Sequence, residues 1–115
     1  MSLDVCLYVD VDTGGKEKTR IELFDANITH NLGKMAMAAG IYEYLWRPEE
    51  INAIYAEDII DALETGLKLL ITEPERFMKF NSPNGWGTYK HFIPFIAKYL
   101  AACKKHPKAL IEVDR

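Results

Sequence analysis

The sequence predicts an α+β fold. A small antiparallel sheet, made from an N-terminal hairpin and a C-terminal strand, carries three to five helices on one face, in a single domain of residues 1–115. Three observations predict it. Residues 3–12 alternate apolar and polar with period two, and a Gly pair follows them. The middle of the chain carries apolar residues at helical spacing. Period two returns at residues 109–113.

The elements follow in order. Leu3, Val5, Leu7, Val9 and Val11 point one way, and Asp4, Cys6, Tyr8, Asp10 and Asp12 the other, as in a half-buried strand. Gly14 and Gly15 make the turn. A second strand is expected at about 19–24, with Ile21 and Leu23 on the core face. A helix then starts near Asn27 or Thr29, either of which can cap it. Leu32, Met35, Ala36 and Ala39 form its buried stripe, and Gly40 ends it.

Residues 41–46 alternate again and read as a short extended or irregular segment. Pro48-Glu49-Glu50 has the composition of a short helical turn. The next helix, about 56–71, has Ile60, Leu63, Leu67 and Leu70 as its stripe. Thr72 and Glu75 fit a capping box for a helix at about 73–80 that buries Phe77 and Phe80. Residues 81–87 form a loop, its two glycines suggesting a Trp86 indole tucked against the body. The last helix, about 88–105, has the stripe Phe92, Phe95, Ile96, Tyr99, Leu100 and Cys103. Pro94 predicts a kink, or a helix start near 93.

Composition narrows the function classes. With 49% hydrophobic and 27% charged residues the chain has the balance of a folded globular protein. A net charge of −3 argues against a nucleic-acid partner. No apolar run approaches the ~20 residues of a membrane span, and no signal-peptide pattern opens the chain, so a cytoplasmic location is expected. Cys6 and Cys103 lack zinc or disulfide spacing and read as buried thiols.

Four groups of residues are candidates for chemistry. Asn27, Thr29, His30 and Asn31 gather at an expected helix start, where free N–H groups favour an anion; ordinary capping is the competing reading. Trp46 and Arg47, with Tyr42 and Tyr44, suit a flat ring and a phosphate or carboxylate; core packing competes. Trp86 and Tyr89, in the Gly85–His91 stretch before the last helix, suit the opposite wall, although no phosphate-loop motif is present. Asp4, Asp10 and Asp12 share a strand face, which reads first as the wet side of the hairpin. No nucleophile motif is recognisable, so no catalytic residue, metal or cofactor is assigned.

These residues predict a binding protein for a small anionic or nucleotide-like ligand, held by Asn27, Thr29, His30, Asn31, Trp46, Arg47, Trp86 and Tyr89. The alternative is a protein-interaction module, a homo-oligomer or an inhibitor of a host protein, anchored on exposed Tyr42, Tyr44 and Trp46.

Several motifs carry a resemblance. Asp25-Ala26-Asn27-Ile28-Thr29-His30-Asn31-Leu32, Gly40-Ile41-Tyr42 and Leu45-Trp46-Arg47-Pro48-Glu49-Glu50 are followed by Asn84-Gly85-Trp86-Gly87-Thr88-Tyr89 and Tyr99-Leu100-Ala101-Ala102-Cys103. Together they resemble a group of short proteins encoded by phages and prophages. That group has no established activity, so the resemblance implies no catalytic role. It implies a small domain that acts by binding in the host cytoplasm, sequestering a signalling nucleotide or masking a host protein.

Overall fold

A computed structural model describes residues 2–115. The long alternation places β1, Ser2–Val11, at the centre of the sheet. It pairs antiparallel on one side with β2, Thr19–Thr29, and on the other with β3, Leu110–Asp114. The order is therefore β2-β1-β3. Leu3, Val5 and Leu7 face the core and are fully buried. A bulge falls where Leu7 opposes Phe24 but Tyr8 opposes Glu22, so Leu23 is the extra residue.

β2 runs to Thr29, five residues beyond the expected end near 24. Asp25 and Asn27 have low strand propensity and suggest a turn. The inward positions Phe24, Ala26 and Ile28 nevertheless alternate, and Ser2 to Leu7 of β1 need partners. Pairing overrides propensity here. Asn27 is consequently a strand residue and caps nothing; its Nδ2 donates to Asp4 Oδ1 at 2.6 Å.

The expected first helix is delayed. A 3-10 turn at His30–Leu32 leads into α1, Gly33–Ala38, and Gly40 ends it at φ +75° as expected. Residues 42–46 are helical rather than extended: α2 spans Tyr42–Trp46. Six residues of alternation do not separate the two periods. Ile41 and Leu45 are both buried, and Tyr42 stacks on Trp46 at 5.2 Å, each pair four apart as on one helix face.

A 3-10 turn at Pro48–Ile51 matches the short turn expected there, and another at Ala56–Ile59 opens α3, Ile60–Thr72. The Thr72 capping box does not form. Thr72 Oγ1 donates back to Lys68 O, and α4, Pro74–Met78, starts instead at its proline. Where α3 meets residue 41 the approach is tight: a Cβ on Gly66 would lie 2.4 Å from Ile41 Cγ2.

α5, Tyr89–Lys105, runs through Pro94 instead of starting near 93. The bond that proline removes would have gone to the Lys90 carbonyl, in the exposed first turn, where water can serve. The stripe from Phe92 to Cys103 is buried as expected. From it Tyr99 reaches the sheet and stacks on Phe24 at 5.8 Å. No helix among the described residues is long and apolar enough to cross a membrane.

Tyr99 is 0% exposed, and its hydroxyl has no hydrogen-bond partner among the described residues. Burial pushes its phenol well above the usual range. A buried hydroxyl without a partner costs about 1–3 kcal/mol, so Tyr99→Phe is expected to raise stability by about that amount. A lower urea midpoint for the variant would contradict this.

Candidate functional site

Two motifs far apart in sequence are joined at one end of the sheet. Loop 81–88 is organised by its own side chains. Asn84 Oδ1 accepts from Trp86 N at 2.9 Å and from Ser82 Oγ at 2.6 Å. Asn81 Oδ1 accepts from Tyr89 N at 2.7 Å, and Ser82 N donates to Gly87 O at 3.2 Å. Asn31 then fastens this loop to the end of β2, its Nδ2 donating to Trp86 O at 2.9 Å. Thr29 Oγ1 caps the adjoining turn by accepting from Asn31 N at 3.3 Å.

The joined segments and one face of α5 enclose an open groove of about 960 Å³. Asn27, Thr29, His30 and Asn31 line one wall and Trp86 the other, so five of the expected site residues share it. Trp86 is 70% exposed. Its indole is not tucked against the body, as the sequence suggested, but held out by a loop whose backbone is bonded in place.

The floor lies outside the residues expected from sequence. His91, Pro94, Phe95 and Lys98 occupy successive turns of α5 and complete the groove. Their spacing of three, four and seven is one helix face, which shares Phe95 with the core stripe and runs beside the rest of it. The chain has 17 acidic residues, yet none lines the groove, whereas Lys98, His30 and His91 do. The local electrostatics thus oppose those of the whole chain.

Three expected site residues lie elsewhere. Trp46 is 2% exposed and belongs to the core. Its Nε1 donates to His30 Nδ1 at 2.9 Å. His30 Nδ1 is therefore the acceptor, which places the proton of the neutral ring on Nε2 as a donor. Arg47 pairs with Glu50 at 2.8 Å. It lines a separate groove of about 440 Å³ with Lys34, Met37, Tyr42, Arg115 and an edge of Trp46, so the expected Trp46–Arg47 pair does share a groove, and His30 borders both. Tyr89 lines neither: its hydroxyl donates to Leu70 O at 2.7 Å, tying α5 to α3.

Other candidate chemistry is dispersed. Burial pushes the Cys103 thiol up to about 12, so it stays protonated. Cys6 is only partly buried, contrary to expectation, because it sits on the outer face of the sheet and accepts a bond from Arg20 at 3.5 Å. Partial burial raises its pKa as well. Among the described residues no three His, Cys, Asp or Glu side chains are placed to hold a metal ion. Compared with protein-family models, curated proteins and solved structures, the chain matches none.

Proposed function

We propose that this chain is a cytoplasmic binding protein for a small anionic ligand with a flat ring, nucleotide-like in chemistry. The observation that carries the reading is the groove without carboxylates, with an exposed indole held over it. Trp86 would stack on the ring, as exposed aromatics do on bases. Lys98, His30 Nε2 and the Asn31 end of the turn would meet the charge. Resemblance to phage-encoded proteins supports a role in sequestering a host nucleotide signal. The interaction reading anchored on Tyr42, Tyr44 and Trp46 is less favoured, because Trp46 is buried and Tyr42 is stacked on it.

The test is a thermal-shift screen of nucleotides, cyclic dinucleotides and ADP-ribose-like compounds. Ligand at ~100 times Kd adds about 2.7 kcal/mol, a shift of several degrees. For a hit, Trp86→Ala is expected to weaken affinity roughly 5- to 150-fold, the equivalent of about 1–3 kcal/mol of stacking. Lys98→Glu is expected to weaken it too, and Arg47→Ala to leave it unchanged. Sensitivity to Arg47 without sensitivity to Trp86 would move the ligand to the smaller groove.

A further inference from the structure

The smaller groove collects positive charge from three separate elements. Lys34 comes from α1, Arg47 directly follows α2, and Arg115 directly follows β3. No Asp or Glu side chain lines this groove, although the chain has 17 acidic residues and a net charge of −3. Two of the cations are held by carboxylates outside the lining. Arg47 Nη1 donates to Glu50 at 2.8 Å, and Arg115 Nη1 donates to Glu49 and, at 2.7 Å, to Trp46 O. These bonds fix the guanidiniums without using up their N–H donors. Among the described residues, Nη2 and Nε of Arg115 make no hydrogen bond. Lys34 forms no ion pair among them either. Three cations against two carboxylates leave one positive charge over, and it sits in the groove.

The rest of the lining is apolar. Tyr42 and Trp46, stacked at 5.2 Å, supply an aromatic side. The Tyr42 ring packs on α1 at Gly33, where a Cβ would lie 3.5 Å from Tyr42 Cε1. Met37, one turn of α1 beyond Lys34, is 59% exposed and forms an adaptable apolar rim. His30 adds one polar group. Its Nδ1 is occupied by the Trp46 indole, so Nε2–H is the donor it has to give. At about 440 Å³ the groove has the size of a small-molecule site, with a few polar groups set against apolar walls.

We propose that the smaller groove is a second binding site, for a small molecule with a multivalent oxyanion head, phosphate or carboxylate, and an apolar body. Lys34 and the unspent guanidinium donors take the head, because a fixed planar fork of N–H groups matches either oxyanion. Met37 and Tyr42 take the body. The net charge of the chain repels anions at long range, so affinity comes from these local groups. The site does not rest on the larger groove, since neither Trp86 nor Lys98 lines it.

NMR of the N–H groups of the full chain, titrated at low ionic strength with pyrophosphate and separately with citrate, tests this. The chain has two tryptophans, so the indole N–H signals of Trp46 and Trp86 report the two grooves separately, and Trp86→Phe identifies them. The Trp46 signal and the Nε–H signals of Arg47 and Arg115 are expected to shift and saturate, while the Trp86 signal stays. Potassium chloride at matched ionic strength is expected to leave all of them in place. Lys34→Glu is expected to weaken binding roughly 10-fold, the scale of one lost charge-assisted bond. Its thermal midpoint should not change, because Lys34 is exposed. Lys98→Glu is expected to leave the affinity as it is. Tighter pyrophosphate supports a phosphate head, and tighter citrate a carboxylate one. No saturable shift with either probe would overturn the proposal. So would a shift that potassium chloride reproduces, one at Trp86 instead of Trp46, or one that keeps full affinity in Lys34→Glu. Neither probe has a ring to stack on Trp86, so these results stand apart from those of the nucleotide screen.

Discussion

Trp46→Ala is expected to lower the free energy of unfolding by about 3–5 kcal/mol, the range for deleting a buried large aromatic. The indole is 2% exposed and stacks within 9° of parallel on Tyr42. Its N–H donates to His30, and Arg115 donates to its carbonyl at 2.7 Å. Removing the ring opens a cavity between α2 and the β2 end and leaves His30 Nδ1 without its donor. Domains of this size are stable by about 5–15 kcal/mol in total, so the loss is a large part of the whole. In urea it corresponds to a midpoint lower by roughly 2 M. Trp46→Phe keeps most of the packing and loses chiefly the hydrogen bond, so it should cost about 1 kcal/mol. The pair separates two roles for one residue. A ligand contact would lose affinity and keep stability; a core residue loses stability first.

The same residue shows where sequence is legible and where it is not. β1 and α5 are plain in the chain because each holds one period over many residues. Trp46 is ambiguous because the run at 41–46 fits period two, while the i, i+4 pairs Ile41–Leu45 and Tyr42–Trp46 fit a helical turn equally well. The end of β2 is obscured by Asp25 and Asn27, whose local preferences oppose the pairing that Phe24, Ala26 and Ile28 allow. The site is half legible. Residues 27–31 and 85–87 stand out by composition, and they do meet. Their meeting depends on a bond from Asn31 to Trp86 across 55 positions, which no local period encodes. Lys98 was hidden by its neighbours, since the stripe from Phe92 onward draws attention to the buried face of α5 and away from the face beside it. The exposure of Trp86 runs against the usual burial of tryptophan, and only the bonded loop explains it.

Gly87→Ala is the sharpest test of that loop, expected to cost about 2–4 kcal/mol and to abolish the groove with it. Two physical effects add. Gly87 has φ +96°, a region that costs a residue with a side chain about 1–2 kcal/mol. Its Cβ would also fall 2.8 Å from Thr29 Cγ2 and 3.0 Å from Asn31 Cβ. Neither neighbour yields easily. Thr29 is β-branched and its hydroxyl caps the turn, while Asn31 is bonded to Trp86 O. Relief requires the loop to leave the β2 end, which parts the two walls and frees Trp86 from its position. Gly85→Ala is the control, because Gly85 has φ +78° but open space around a Cβ. It should pay the backbone strain alone. The difference between the two variants in urea therefore measures how firmly loop 81–88 is seated on residues 29–31. Equal losses would mean the loop is not seated there, and the groove would have no second wall.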